Sequence, residues 1–213
     1  TAPKRAESCM SKIADLTTSL VAGDKGLVGE KNFSILSAPG DMGEALLEKL
    51  KIPCDVVLCP KAHTSSAEDT KLCAQIMKEQ GVDLLVFCGG DGTARDICEA
   101  VGTDVTVLGI PAGVKMYSAC YACNPYQAGE MLTGWLEGKE MSYEMREVLD
   151  IEEKDLDSRN VSPQLYGFLE VLSDGKHLQK AKELDLGSGE SATIIARAAI
   201  LRMEKDWVYI IGP

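Results

Sequence analysis

Apolar runs, glycine-bearing turns and helix-period stretches alternate along this chain, and that alternation leaves few architectures open. Residues 33–36, 54–59, 83–88 and 105–110 are apolar runs rich in β-formers. Helical spacing marks 5–20, where Cys9, Ile13, Leu16 and Leu20 recur every three or four positions, and also 44–51, 94–101 and a stretch ending near 136. Ser65-Ser66-Ala67-Glu68 fits a capping box that opens a further helix, with Gly81 at its end. Asn124-Pro125 reads as a cap and first helical position. Strand, turn and helix in repetition predict an α/β domain with a mostly parallel sheet. Ligands of such sheets sit beyond the carboxyl ends of the strands. Three glycine-bearing turns, at 39–43, 89–93 and 111–115, all follow strands and are expected along one edge.

After about Gly138 the texture changes. Residues 143–151 alternate apolar with charged side chains, 165–172 is a second strand candidate, and Ser173-Asp174-Gly175 is a turn. Residues 152–159 are charged and read as a solvated loop, and 188–205 has the spacing of a helix. The expectation is an α/β domain over 1–141 and part of a second, β-rich domain over 142–213. The chain starts close to a helical pattern and stops just after an apolar run. A fragment of a longer protein, with its first strand missing, is therefore expected.

Charge narrows the partners. With 22 Lys and Arg against 33 Asp and Glu, the net charge is −11. Binding along nucleic-acid phosphates or on an anionic membrane needs clustered cations, so both are disfavoured. A local anion site built from backbone N–H groups remains open. No stretch is long and apolar enough for a membrane span. The eight cysteines sit mostly within apolar runs and read as packed thiols in a reducing cytoplasm. Cys120-Tyr-Ala-Cys123 has redox or zinc spacing but no second pair beside it.

The most informative segment is Gly89-Gly90-Asp91-Gly92-Thr93, between an apolar strand and a helix. Its glycines would permit positive φ and close approach of a phosphate to the main chain. The helix that follows offers unpaired N–H groups and the positive end of its dipole, and Thr93 can cap it or bond a phosphate. A carboxylate beside phosphates is unfavourable unless it holds Mg²⁺ or takes a proton from an attacking hydroxyl, which makes Asp91 the candidate catalytic and metal-binding residue. A tight turn with Asp91 as a simple cap is the plainer reading. The segment matches neither the dinucleotide-fold glycine motif nor the Walker A loop.

Gly89-Gly90-Asp91-Gly92-Thr93 resembles the signature of a kinase superfamily that includes NAD kinases, diacylglycerol and sphingosine kinases and, more distantly, phosphofructokinases. The run from Leu108 through Ile110-Pro111-Ala112-Gly113-Val114-Lys115-Met116 to Ala119 is similar to the ATP-NAD kinase-like branch that includes the acetoin-cluster AcoX proteins. Segments at 39–44, 64–70, 92–96, 147–151, 165–168 and 211–213 agree with that branch. The resemblance implies phosphoryl transfer from ATP or inorganic polyphosphate, with Mg²⁺, to the 2′-hydroxyl of NAD. Gly89, Gly90, Gly92, Thr93, Arg95, Gly113, Lys115 and Ser118 would bind nucleotide in the first domain, and Asp91 would act as base or metal ligand. A homo-oligomer is expected. The Asn-Glu pair with which NAD kinases proper grip the acceptor ribose is missing from this sequence, although Glu147 and Asp150 lie in a comparable place. A kinase of another hydroxyl, on a lipid or small alcohol, and a non-catalytic nucleotide-binding protein are the rival readings.

Several candidates carry plainer alternatives. Lys115 could neutralise phosphate charge or be a solvated loop cation. Arg95 could meet phosphate or pair on the surface. Ser118 could touch ligand or cap a helix. Thr64, Ser65 and Asp69 could line the same edge or serve only as caps. His63 and His177 read as surface residues.

Overall fold

The computed structural model describes residues 2–21, 33–58, 66–113, 116–150 and 164–179. Residues 1–181 form one compact unit and 182–213 a second, which lies outside the described residues. The helix expected at 188–205 and the charged loop at 152–159 also fall outside them. The expected division at 141/142 falls inside the first unit, and the packing boundary comes after Ala181.

Helix α1 spans Ala2–Val21. Strands β1 (Leu36–Ser37) and β2 (Asp55–Val56) form a short parallel pair, with helix α2 (Glu44–Lys49) between them. Helix α3 (Ala67–Glu79), β3 (Leu85–Gly89), α4 (Asp91–Val101) and β4 (Val107–Pro111) complete the strand–helix repeat. Helix α5 (Pro125–Leu136) precedes the long antiparallel strands β5 (Ser142–Asp150) and β6 (Gln164–Ser173). The four-stranded sheet runs β3-β4-β6-β5, with β3, β4 and β6 parallel and β5 antiparallel at one end. The change of texture after Gly138 is therefore a change in pairing direction within one sheet.

Every residue of β4 is buried, as suits a strand covered on both faces. Val107, Leu108 and Ile110 join Val101, Tyr121, Met131, Leu169, Val171 and Leu172 in the core. Helices α3 and α4 lie side by side, with Lys71–Glu99 at 3.0 Å and Lys78–Asp104 at 2.6 Å along their exposed seam. Helix α1 packs on α5 closely enough that a Cβ on Gly129 would come within 2.9 Å of the Cys9 carbonyl oxygen.

Local signals place the helix starts with uneven success. Asn124 caps α5 as expected, its side chain accepting from the Gln127 N–H, with Pro125 in the first position. The capping box of α3 sits one residue later than the sequence reading. Ser66 accepts from the Asp69 N–H at 3.2 Å, and Asp69 accepts from the Ser66 N–H at 2.9 Å. Ser65 lies outside the described residues, and Glu68 is not the reciprocal partner. Helix α4 begins at Asp91 rather than Ala94, so the glycine segment forms its first turn instead of a loop ahead of it. No helix among the described residues is long and apolar enough to cross a membrane.

Candidate functional site

The parallel register of β3 and β4 brings their carboxyl ends level, Gly89 opposite Pro111. The Ala112 N–H donates to the Gly89 carbonyl at 2.9 Å and ties the two turns together just past the sheet. Helix α4 starts immediately, its first internal bond running from the Ala94 N–H to the Gly90 carbonyl at 3.0 Å. Gly90 supplies no side-chain cap, so the N–H groups of Asp91, Gly92 and Thr93 have no partner within the helix. They point along the positive end of its dipole.

The glycines work differently from the sequence reading. None of Gly89, Gly90 or Gly92 has positive φ. Gly89 is needed because a Cβ there would fall within 2.3 Å of the Thr93 hydroxyl oxygen and 2.4 Å of its Cβ. Thr93 therefore packs back over the end of β3 and does not cap the helix. Gly90 and Gly92 would meet nothing within 4 Å, leaving open space over the first turn of α4.

Asp91 joins two segments that the sequence keeps apart. One carboxylate oxygen accepts from the Tyr117 N–H at 2.8 Å, the other from the Ser118 N–H at 2.9 Å. Asp91 is thus not a cap of its own helix. Ser118 continues the chain of contacts. Its buried hydroxyl donates to the Leu149 carbonyl and accepts from the Leu149 N–H, both at 3.0 Å. Ser118 opens no helix, so the capping alternative for it does not hold. The Ala119 N–H adds a bond to the Glu147 carbonyl at 3.0 Å. One strand edge, one loop and one helix start are linked through two side chains.

Tyr121 supports the turn from below. Its ring is fully buried, meets Phe87 edge-on at 5.5 Å, and its hydroxyl donates to the Gly90 carbonyl at 2.5 Å. Burial pushes its phenol well above the ordinary range, so it remains a neutral donor. Tyr121→Phe is expected to lower stability by about 1 kcal/mol, the usual net value of one such bond, read from urea unfolding. An unchanged midpoint would deny the Gly90 contact any weight.

Arg95 lies one turn into α4, with its guanidinium 3.6 Å from the Asp96 carboxylate. Asp96 is buried and its Oδ1 has no hydrogen-bond partner among the described residues. Burial raises its pKa and the Arg95 charge opposes that rise. Only the helical period of α4 could have placed this acid on the inner face. Gly113 closes the described part of the second turn, while Val114 and Lys115 lie outside it, as do His63 and Thr64. Asp69 is occupied in the α3 cap. Glu147 is exposed on β5.

His177 differs from the expected lone surface residue. Its Nδ1 is 2.6 Å from the Asp174 carboxylate, which also accepts from the Lys176 and His177 N–H groups. Burial works against the Asp174 charge, and these donors outweigh it and hold its pKa below the usual carboxylate value. The spacing Asp174-Gly-Lys-His177 after a strand was the available signal.

Cys120 and Cys123 are both free, one buried and the other exposed. Among the described residues no group of three His, Cys, Asp or Glu could hold a metal ion. Burial pushes the Cys9 thiol to about 12 and Cys88 to about 11, and raises Cys120 as well. Alkylation of the native protein near pH 8 is expected to modify Cys123 well before Cys9, Cys88 or Cys120, as peptide mapping would show. Equal rates at all four would contradict this burial.

For Mg²⁺, the Asp91 donor set fits. Each carboxylate oxygen has spent one lone pair on an N–H and keeps another. Magnesium ordinarily takes one or two carboxylates together with substrate phosphates.

The family model described as the ATP-NAD kinase N-terminal domain matches residues 16–140. That span includes β1 to β4, all three glycine-bearing turns and α5. No curated protein and no solved structure matches the chain significantly.

Proposed function

The chain belongs to the ATP-NAD kinase family, and on that premise we propose that it transfers a phosphoryl group from ATP or inorganic polyphosphate to the 2′-hydroxyl of NAD, giving NADP. The observation that carries this reading is the Asp91 link between the start of α4 and residues 117–118. It fixes the start of α4 against the segment that follows the second glycine turn, at the carboxyl edge of a parallel sheet, where an anion meets unpaired N–H groups.

In this reading the phosphate chain lies over Gly90 and Gly92, where space is open, and accepts from the N–H groups of Asp91, Gly92 and Thr93. Asp91 would hold Mg²⁺ through the free lone pair of one carboxylate oxygen, and the ion would neutralise charge on the phosphates. Asp91 also stands as the acceptor for the proton of the attacking hydroxyl. Arg95 and Lys115 add positive charge, Gly89 leaves room for Thr93 to pack over the end of β3, and Gly113 keeps a side chain out of the second turn. Ser118 acts by fixing the loop that Asp91 holds. Phosphoryl transfer needs little covalent help from the protein, so positioning and charge carry most of the rate.

A second reading has one observation in its favour. The sequence lacks the Asn-Glu dipeptide expected around the acceptor ribose, which leaves room for a different hydroxyl acceptor, a lipid or small alcohol. A screen of ATP and polyphosphate against NAD, a diacylglycerol and small polyols separates the two. NADP formation supports the first reading, and a phosphorylated product from another acceptor alone replaces it. Tight nucleotide binding without any product would make the protein a non-catalytic binder.

A further inference from the structure

Arg5 belongs to α1, a helix whose sequence announces only an apolar stripe. Its side chain reaches the end of the parallel pair, where Nη1 donates to the Pro111 carbonyl oxygen at 3.1 Å across 106 positions of sequence. The start of the same helix is pinned to β3, the Cys88 thiol donating to the Ala2 carbonyl at 3.4 Å. Burial dominates the ionisation of Cys88, yet the Arg5 charge is felt there and opposes it. Arg5 is thereby placed over the carboxyl ends of both β3 and β4, beside the bond that joins Gly89 to Ala112.

A guanidinium has five N–H donors in a planar fork, and a single carbonyl uses only part of that capacity. No carboxylate among the described residues forms an ion pair with Arg5. Asp91, in the turn after β3, accepts from the Tyr117 and Ser118 N–H groups and forms no ion pair with Arg5. An incoming phosphate chain must approach that carboxylate in a protein of net charge −11, and a fixed cation at this edge offsets the repulsion.

We propose that Arg5 is a phosphate-positioning residue: it holds the turn after β4 through the Pro111 carbonyl and uses its remaining donors on a chain of phosphoryl groups. The ligand chemistry is a linear polyphosphate, whether carried by a nucleoside or free. This inference rests on the phosphoryl-transfer reading.

Binding of Mg·ATP and of inorganic tripolyphosphate to the full chain, measured by calorimetry at two salt concentrations, tests it alongside thermal melting. The variants are Arg5→Lys, which keeps charge, Arg5→Gln, which keeps a donor for the Pro111 carbonyl, and Arg5→Met, which keeps neither. Arg5→Gln and Arg5→Met are expected to bind tripolyphosphate and ATP roughly 10- to 100-fold more weakly, with a shallower salt dependence, and Arg5→Lys to recover part of the loss. Where turnover is measurable, KM for the donor rises more than kcat falls. Weakening confined to ATP assigns Arg5 to a nucleoside-borne chain, and equal weakening assigns it to the phosphates as such. Arg5→Met losing its fold leaves Arg5→Gln to decide. Wild-type affinity in Arg5→Gln overturns the inference while leaving the kinase reading standing. A wild-type chain that binds neither ligand overturns both.

Discussion

Asp91→Asn is expected to lower phosphoryl transfer roughly 100-fold or more, the scale of loss that follows when reacting groups are misplaced by about an ångström. The two carboxylate oxygens accept from two consecutive backbone N–H groups, Tyr117 and Ser118. An amide offers one oxygen and one NH₂, so one of those N–H groups would face another donor. The loop at 116–118 must then shift, and the lone pairs proposed for Mg²⁺ are diminished with it. The lost charge-assisted bond is also expected to cost about 2 kcal/mol of stability. A purely structural Asp91 would show this loss of stability with turnover preserved once the protein is folded at low temperature. Wild-type turnover by Asp91→Asn would remove both the base and the metal role assigned to it.

The second large effect is expected at Gly109, in the middle of β4. Tyr121 lies alongside this strand, with the Ala122 N–H donating to the Gly109 carbonyl and the Gly109 N–H to the Cys120 carbonyl. A Cβ on Gly109 would stand 2.6 Å from the Cys120 carbonyl oxygen and 2.6 Å from the Tyr121 ring. The carbonyl belongs to backbone held on both sides and cannot rotate away. Gly109→Ala is therefore expected to destabilise by about 3 kcal/mol, at the upper end for an overpacked core. It should also weaken donor binding, because Tyr121 carries the Gly90 carbonyl. Chemical denaturation gives the first quantity and ligand titration the second. A midpoint close to that of the wild type would mean that residues 120–122 do not lie against β4 as described.

What could be read from the sequence was local. Asn124-Pro125 is a cap wherever the rest of the chain lies, and the apolar run ending at Cys88 reads as a central strand buried on both faces. The structure makes it a strand but sets it at one end of the four-stranded sheet with only alternate residues buried, and the fully buried strand is β4. The capping box shows the limit of such reading. Ser65 and Ser66 are equivalent as caps, Glu68 and Asp69 as reciprocal partners, and only the completed α3 selects Ser66 with Asp69. The glycine segment was legible as a ligand-facing turn because of what it lacks, namely side chains. Its internal logic was not legible: Gly89 answers to the Thr93 side chain, while φ is ordinary at all three glycines. Asp91 was visible as an acid out of place, but its partners are 26 and 27 positions away. Ser118 and Leu149 are 31 apart, and Arg5 and Pro111 are 106 apart. Such pairings are created by sheet order and leave no periodicity in the chain.

Strands β4 and β6 pair through Val107 and Val171 and then part, leaving a fork in the sheet into which residues 118–121 run. The hairpin that forms the far side of the fork supplies Leu149, and through Ser118 it holds the partners of Asp91. The glycine motif is for this reason not a portable module. A segment excised from 33 to 140 would carry both turns, the whole of α4 and residues 118–121, yet it would lack the hairpin whose Leu149 holds Ser118 in place. Grafting this chemistry onto another α/β scaffold would require the antiparallel hairpin to travel with it.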